Sequence, residues 1–224
     1  DTFDDGGYPI ENGLMDPRLG VMDPLLKCRT CGQRGGECEG HFGRIDLARP
    51  VIHIGFVEVI SKLLQSTCNE CGRILLDEIE IEKFNQRIIE EKEKGKNLDK
   101  IFEEVYKAAK NDECPHCGEE QEDIKLNKPF TIIQGGYKLT PSEVREKLER
   151  ISDEEAFILG INPKVARPEW MVLTVLPVPP VTMRPHSISS TGTSADHLTH
   201  KLVDIIRINN RLTDNLESGS PNHI

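Results

Sequence analysis

Seven cysteines and one histidine form four pairs, and the two members of each pair are separated by two residues. The first two pairs give the pattern C-x2-C-x6-C-x2-H, and the last two are C-x2-C pairs with 42 residues between them. Structural Zn²⁺ sites use four thiolate or imidazole ligands in a tetrahedron, with Zn–S distances of roughly 2.3 Å. The pairs therefore predict two zinc sites with these ligands: Cys28, Cys31, Cys38 and His41 in the first site, and Cys68, Cys71, Cys114 and Cys117 in the second.

Both predicted sites are closed, because side chains of the protein fill all four coordination positions, and closed zinc sites are structural rather than catalytic. A metal-dependent hydrolase needs an open position and a general base, so the pattern disfavours that class of enzyme. His53 and His116 are alternative ligands, but the four pairs already complete both sets. The odd number of cysteines disfavours a disulfide framework and favours a reducing, intracellular compartment.

Composition sets further bounds on the chain. Its 224 residues suffice for one large or two small domains, and 37% hydrophobic with 5% aromatic residues is little for a self-sufficient core. The net charge of −10 excludes nucleic-acid binding through overall charge, so any DNA contact requires a local basic patch. No signal peptide opens the chain, and no apolar run reaches the ~18–20 residues of a membrane span. We expect no membrane association.

Apolar patterns predict the elements that position the ligand pairs. Alternation at Ile45 and Leu47 predicts a short strand, and helical spacing predicts a helix over Phe56–Gln65. Between the last two pairs, apolar stripes predict helices over residues 79–94 and 98–109. These helices form a predicted helical hairpin that returns the chain to the next ligand pair. Such an insertion is tolerated because the entropy of loop closure grows slowly with loop length.

The segment downstream of the second site contains strands and short helices. Alternation over residues 122–139 predicts strands, and Thr140 and Ser152 are predicted N-caps of two helices. The β-rich run Trp170–Leu176 predicts a strand that leads into a proline-rich segment, and Ser187–Ser194 predicts a loop.

A long helix closes the chain. We predict that Ser194 caps it and that it runs to about Glu217, with its tip over residues 217–221. Its apolar spacing predicts a heptad seam formed by Leu198, Leu202, Ile205, Asn209, Leu212 and Leu216. A polar residue such as Asn209 fixes the register of a coiled coil at some cost in stability. The partner helix is missing from the sequence, so we expect a fragment of a larger protein.

These elements predict an α+β fold: an irregular zinc-stabilised domain with two structural zinc sites, a helical hairpin insertion, short strands and one long coiled-coil helix. We expect five segments: a leader that packs on the rest (1–27), the first zinc site with its strand and helix (28–67), the second zinc site with the hairpin (68–121), a core of strands and short helices (122–193), and the first arm and tip of the coiled coil (194–224).

Several of these stretches together resemble one family, the largest subunit of multisubunit DNA-directed RNA polymerase in its N-terminal clamp region, most closely the archaeal form. The resemblance covers nearly the whole chain. The residues that carry it, besides the ligand pairs, are Gly13–Gly20, His41–Gly43, Arg167–Pro180, Val181–Pro185 and Leu198–Leu212. Glu39 and Arg44 depart from the family pattern, which usually has Pro and often His at these positions, and Ser218–Pro221 replaces a more usual Gly-Ala-Pro turn. None of these departures removes a zinc ligand.

The resemblance implies the clamp, the mobile jaw that closes over DNA in the main cleft of a nucleotidyltransferase. The last helix would be the first arm of the clamp coiled coil, whose tip docks initiation factors and a NusG-family elongation factor. Other polymerase subunits are further implied partners. The aspartate-rich signature that binds catalytic Mg²⁺ is absent from this sequence. The chain would thus belong to an enzyme without carrying its catalytic residues or its Mg²⁺, in the cytoplasm and associated with the nucleoid.

Two groups of residues are candidates for contacts with DNA or partners. Arg34, Arg44 and Arg184 are candidates for DNA phosphates, although each could be an ordinary surface arginine. The candidate partner-binding residues near the helix tip are Arg207, Asn210, Arg211, Asp214 and Glu217. Arg207 and Arg211 lie four residues apart and could meet an acidic partner or pair with Asp204 or Asp214 along the helix.

The alternative hypothesis is a stand-alone zinc-ribbon module for protein interaction. Such a module should not end on a helix with an unpaired heptad seam, because an exposed apolar stripe of this kind marks an interaction site.

Overall fold

The computed structural model describes residues 2–4, 8–185, 187–189, 192–194 and 196–219. The chain divides into two compact units, one formed by residues 1–48 and 174–224 and the other by Arg49–Leu173. No helix within the described residues is long and apolar enough to cross a membrane.

The elements follow in a mixed order of helices and strands. The helices are α1 (Val57–Ser66), α2 (Glu78–Glu93), α3 (Asp99–Ala108), α4 (Pro141–Glu149), α5 (Asp153–Ile158) and α6 (His197–Glu217). The strands are β1 (Gly43–Ile52), β2 (Ile124–Asn127), β3 (Thr131–Gln134), β4 (Tyr137–Lys138), β5 (Val172–Val178), β6 (Ser187–Ser189) and β7 (Gly192–Ser194). They form a β1–β5 sheet, an antiparallel β2–β3–β4 sheet and an antiparallel β6–β7 pair.

The unit of residues 49–173 has the larger apolar core. Ile60 and Leu63 of α1 are fully buried in it, and α1 contacts β2, α3 and α4. The predicted helices of the long insertion are present as α2 and α3, which contact each other and are joined by an Arg87–Glu104 ion pair at 2.8 Å. Their charged residues face solvent while Phe84 and other apolar residues reach the core.

Both predicted N-caps in this unit are confirmed. The Thr140 side chain accepts a hydrogen bond from Glu143 N, and the Glu143 carboxylate in turn accepts one from Thr140 N. The Ser152 side chain likewise accepts from Glu155 N at the start of α5. Each arrangement satisfies N–H groups that the first turn of a helix leaves unpaired.

Two predictions around the start of the last helix are wrong. The segment Ser187–Ser194, predicted as a loop, contains β6 and β7, which pair through Ser187 with Ser194 and Ile188 with Thr193. The cap of α6 is Asp196 rather than Ser194, because the Asp196 carboxylate accepts the hydrogen bond from Leu198 N. The predicted tip extends beyond the described residues, since residues 220–224 lie outside them.

In the unit of residues 1–48 and 174–224, α6 packs along its own apolar side. Leu202 is 3% exposed and forms a small core with Leu14 and Val178. The residues of α6 and its surroundings that pack against this core are Leu19, Ile45, Leu176, Val203 and Ile206.

Asn209 has a different environment from the one that the heptad pattern predicted. Its Oδ1 accepts a hydrogen bond from Ala48 N at 2.8 Å, and its Nδ2 donates to Asp46 O at 3.0 Å. A neighbouring strand would bind the same two backbone groups of β1 in the same way. The carboxamide of Asn209 is therefore bound to the backbone of β1. It is not available to act as the polar residue of the predicted heptad seam.

We predict that Asn209→Ala destabilises the protein by about 1–3 kcal/mol, because Ala48 N–H and Asp46 C=O both lose their partner. The measurement is the free energy of unfolding from denaturant titration. Asn210→Ala removes the same amide from an exposed position of the same helix and should leave this free energy unchanged. Equal stability of the two variants would show that the contacts with β1 contribute nothing.

Candidate metal centres

The first cluster brings the four predicted ligands together. The Sγ atoms of Cys28, Cys31 and Cys38 and a ring nitrogen of His41 all lie within 4.8 Å of one another. The Sγ atoms of Cys31 and Cys38 are 3.6 Å apart, and Cys38 Sγ is 3.7 Å from His41 Nε2. The second cluster has similar dimensions. Cys68 Sγ lies 3.6 Å from Cys117 Sγ, and Cys71 Sγ lies 3.7 Å from Cys114 Sγ.

These distances can be compared with those of a metal tetrahedron. Ligands at roughly 2.3 Å from a tetrahedral Zn²⁺ are separated from each other by roughly 3.8 Å. A disulfide would instead bring two sulfurs to about 2.05 Å, and all seven cysteines are free thiols. The donor chemistry and the spacing of both clusters therefore fit a four-coordinate metal ion.

Three of the four pairs share one backbone geometry. In each C-x2-C pair, the N–H of the first cysteine donates to the carbonyl five residues on, as in Cys28 N to Gln33 O at 2.8 Å. The glycine after the second cysteine has a φ near +74°, which is a left-handed conformation that glycine adopts without strain. The corresponding carbonyls and glycines of the other two pairs are Arg73 O, Glu119 O, Gly72 and Gly118. The local sequence therefore builds the same turn three times.

The fourth pair, Cys38 and His41, is held by its surroundings instead. Cys38 N donates to Arg34 O at 3.1 Å, and His41 N donates to Leu19 O at 3.1 Å. Between them Gly40 has a φ of +92°, and a Cβ at this position would lie 2.4 Å from Thr182 Oγ1. The turn that presents His41 is thus packed so closely that only glycine fits.

Hydrogen bonds to sulfur shift the acidity of particular thiols. Burial raises the pKa of the Cys28 thiol, but N–H groups of Cys31 and Thr30 outweigh burial and lower the pKa to about 7. A similar arrangement lowers the pKa of Cys68 to about 7. Burial raises the pKa of Cys71 to about 12. Each cluster therefore contains one thiol that is readily ionised, and the thiolate is the form that binds metal.

Of the three candidate DNA contacts, two lie on the surface. Arg34 is exposed and extends from the first cluster toward Pro24 O. The side chain of Arg44 is 73% exposed, and its Nε lies 3.4 Å from the Asp46 carboxylate. Both guanidinium groups are accessible to a phosphate.

The prediction that Arg184 contacts a DNA phosphate is wrong, because this residue is completely buried. Its guanidinium donates to Pro179 O at 2.9 Å, Leu14 O at 2.6 Å and Thr199 Oγ1 at 3.1 Å. Burial lowers its pKa. A group that is enclosed and hydrogen-bonded in this way cannot contact a DNA phosphate, and its role is to fix the loops around it.

The five candidate partner-binding residues of α6 are all exposed: Arg207, Asn210, Arg211, Asp214 and Glu217. Asp204, one of the two carboxylates considered as partners of Arg207 and Arg211, pairs with Lys201 at 3.9 Å. Within the described part of the chain, no ion pair joins either arginine to Asp204 or Asp214. The predicted alternative, in which Arg207 and Arg211 form ion pairs along the helix, is therefore not observed in this part of the chain.

Three residues that no sequence pattern indicates support the second cluster. Gln121 contacts Cys68 Sγ and Asn69 N, while Lys147 of α4 and Arg150, the C-cap of that helix, donate to the carbonyls of residues 69 and 70. Gln121 follows the last cysteine by only four residues, but no ligand pattern singles it out. The two basic residues are brought to the site by tertiary packing alone.

Two four-ligand clusters presented by tight glycine turns define a protein with two sites that could each hold a metal ion. The family model "RNA polymerase Rpb1, domain 1" matches residues 1–224, so the chain belongs to this family and forms the N-terminal part of the largest RNA polymerase subunit, of archaeal type. The resemblance seen in the sequence is confirmed.

The relatives are all longer proteins. DNA-directed RNA polymerase subunit Rpo1N of Methanothermobacter thermautotrophicus (strain Delta H) is 67% identical over 222 residues, which are 99% of this chain and 26% of the relative. The subunit of the same name from Methanocaldococcus jannaschii is 57% identical over 100% of this chain and 17% of the relative. That of Halobacterium salinarum is 40% identical over 99% of this chain and 30% of its own length. The chain thus spans between about a sixth and a third of these relatives.

We predict that Gly72→Ala destabilises the protein more than Gly32→Ala does. The two glycines occupy the same position in their turns, with φ values of +74° and +73°, so both variants carry the same left-handed strain of roughly 1–2 kcal/mol. A Cβ on Gly72 would lie 2.5 Å from Arg150 Cβ, whereas one on Gly32 meets nothing within 4 Å. Thermal unfolding of both variants is the measurement, and equal melting temperatures would contradict the prediction.

Proposed function

We propose that each cluster holds one structural Zn²⁺ ion, in the first case with Cys28, Cys31, Cys38 and His41 and in the second with Cys68, Cys71, Cys114 and Cys117. Sulfur and imidazole donors at 3.6–3.7 Å from each other support this proposal. Since four protein ligands complete each tetrahedron, the metal contributes folding free energy rather than chemistry.

The chain as a whole is, in this proposal, part of the clamp of DNA-directed RNA polymerase, the element that closes over DNA during transcription. Membership of the Rpb1 domain 1 family over the entire chain is the observation that carries this conclusion. The catalytic Mg²⁺ of the parent nucleotidyltransferase is then bound by another part of the enzyme. Such a protein would act in the archaeal cytoplasm, at the nucleoid and together with other polymerase subunits.

The helix α6 is the proposed first arm of the clamp coiled coil. One side of it packs on the small core around Leu202, and a second apolar stripe remains beside that side. Within this stripe Leu198 is 42% exposed and Ile208 is 69% exposed. A second helix from the remainder of the subunit would cover the stripe, leaving the charged residues from Arg207 to Glu217 free for initiation factors and a NusG-family elongation factor.

Contact with DNA is proposed for Arg34 and Arg44 only. Both are exposed, and the net charge of −10 leaves local arginines as the means of holding a phosphate backbone. Such contacts are independent of DNA sequence and weaken with salt.

The alternative, a stand-alone zinc-ribbon interaction module, also fits the two clusters. In the clamp proposal the chain is part of a larger subunit, whereas in the alternative it is a protein of its own. The relatives are several times longer than the chain, and its last described helix leaves an apolar stripe partly exposed, which favours the clamp.

We predict two Zn²⁺ ions per chain, one lost independently from each cluster. In the purified subunit, Cys38→Ser and Cys114→Ser should each lower the zinc content by one ion, and the double variant by two, because removal of one thiolate opens a closed tetrahedron. Elemental analysis gives the count. Ser61→Ala, at a buried position outside both ligand sets, is the control and should retain both ions. Unchanged zinc in either cysteine variant would contradict that site.

We predict that charge reversal at Arg207 and Arg211 weakens binding of a NusG-family factor to the assembled polymerase by at least about tenfold, or about 1.4 kcal/mol. The dissociation constant is measured by titration of labelled factor at two salt concentrations. Lys201→Glu reverses a charge on the same helix nearer its start and should bind as the unmodified enzyme does. The docking proposal fails if the double variant retains full affinity with its zinc intact.

A further inference from the structure

We propose that Gln121 is a positioning residue of the second metal centre. Its carboxamide connects the two cysteine pairs and donates a hydrogen bond to the sulfur of Cys68. This inference rests on the proposal that the centre binds Zn²⁺, and it adds a residue outside the ligand set on which retention of the ion depends.

The connection is made by both ends of one side chain. Gln121 Oε1 accepts a hydrogen bond from Asn69 N at 2.9 Å, inside the first cysteine pair of this centre. Gln121 Nε2 donates to Glu119 O at 2.7 Å, and Glu119 O also accepts from Cys114 N in the second pair. The carboxamide therefore bonds to the turns of both pairs at once.

The same Nε2 group lies 3.4 Å from Cys68 Sγ, which also accepts a hydrogen bond from Glu70 N at 3.4 Å. Gln121 and Glu70 thus each direct an N–H donor at this sulfur. A thiolate gains more from such donors than a neutral thiol does, because the hydrogen bonds are then assisted by charge. Gln121 thereby helps to hold the sulfur of Cys68 in its place in the cluster.

The second centre needs this support more than the first. Four thiolates around Zn²⁺ give a net charge of −2, whereas three thiolates and one imidazole give −1. The two pairs of the second centre are also separated by 42 residues, against six in the first. In the first centre the carboxamide of Gln33 lies farther from sulfur, with its oxygen 3.9 Å from Cys31 Sγ.

Two cations also bind the first turn of this centre. Lys147 Nζ donates to Asn69 O at 3.1 Å, and Arg150 Nη1 donates to Glu70 O at 3.0 Å. Positive charge next to a doubly negative centre stabilises it. Gln121 is the one member of this supporting group that contacts both pairs and a ligand sulfur, so we assign the positioning role to it.

The experiment measures zinc release from the intact subunit to a chromophoric chelator. Gln121→Leu removes every hydrogen bond of the carboxamide, while Gln121→Glu keeps an acceptor for Asn69 N but loses the donor to Cys68 and to Glu119 O. Both variants should release one ion at least about tenfold faster than the unmodified subunit, in the range known for outer-shell partners of metal ligands. The other ion should leave at its original rate.

Timed alkylation and peptide mass analysis identify the centre that opens. In both variants, Cys68 and Cys117 should become reactive together with the fast ion, while Cys28 and Cys31 stay protected. Gln86→Leu removes an exposed glutamine of α2 and is the matched control, with no change expected. Unfolding temperatures of all variants separate a local effect from global loss of the fold, and Gln121→Glu remains informative if Gln121→Leu does not fold.

The outcomes distinguish the two proposals. If every variant binds two ions and releases the ion of the second centre at the original rate, the role of Gln121 is contradicted, but the proposal of two zinc sites is not. An unmodified subunit without zinc at Cys68, Cys71, Cys114 and Cys117 would overturn both. Faster release with alkylation at the first centre instead would also contradict the assignment.

Discussion

The structure depends on the close approach of four soft donors in each of its two units. Sulfurs at 3.6–3.7 Å cannot all be ionised without a cation between them, because like charges at this distance repel strongly. As neutral thiols they would contribute only weak hydrogen bonds. Hydrophobic residues make up 37% of the sequence, which is little for a self-sufficient core. Each unit contains one cluster, so a bound ion would supply each with a crosslink that its core does not provide.

The ligand sets could be predicted from the sequence because the turn that presents each cysteine pair is local. A cysteine, two residues, a second cysteine and a glycine determine where both sulfurs point, as the repeated φ near +74° shows. The helices and the caps at Thr140 and Ser152 were equally local. The cap of α6 was assigned wrongly because Ser194 and Asp196 are both good N-caps, and the pairing of β6 with β7 decides between them.

Arg184 and Asn209 could not be predicted, because their partners are distant in sequence. Arg184 resembles a surface arginine next to a proline, yet it binds Leu14 O, 170 residues away. Asn209 fits a heptad position, yet it binds Asp46 and Ala48, more than 160 residues away. In both cases a polar side chain bonds to backbone groups of a segment that is distant in the sequence. The sequence does not show which side chain supplies such a hydrogen bond.

The two faces of α6 connect this packing to the proposed function. A helix that only closed a core would need a single apolar stripe, and Leu202, Val203 and Ile206 already provide it. Leu198 and Ile208 are additional apolar residues of the helix, and they are 42% and 69% exposed. Because Asn209 fixes the helix to β1, the rotation of α6 is set, and with it the direction of the second stripe and of the charged residues. If α6 is the proposed arm of a coiled coil, the carboxamide of Asn209, which the heptad pattern had placed in the seam, would set where a partner helix could bind.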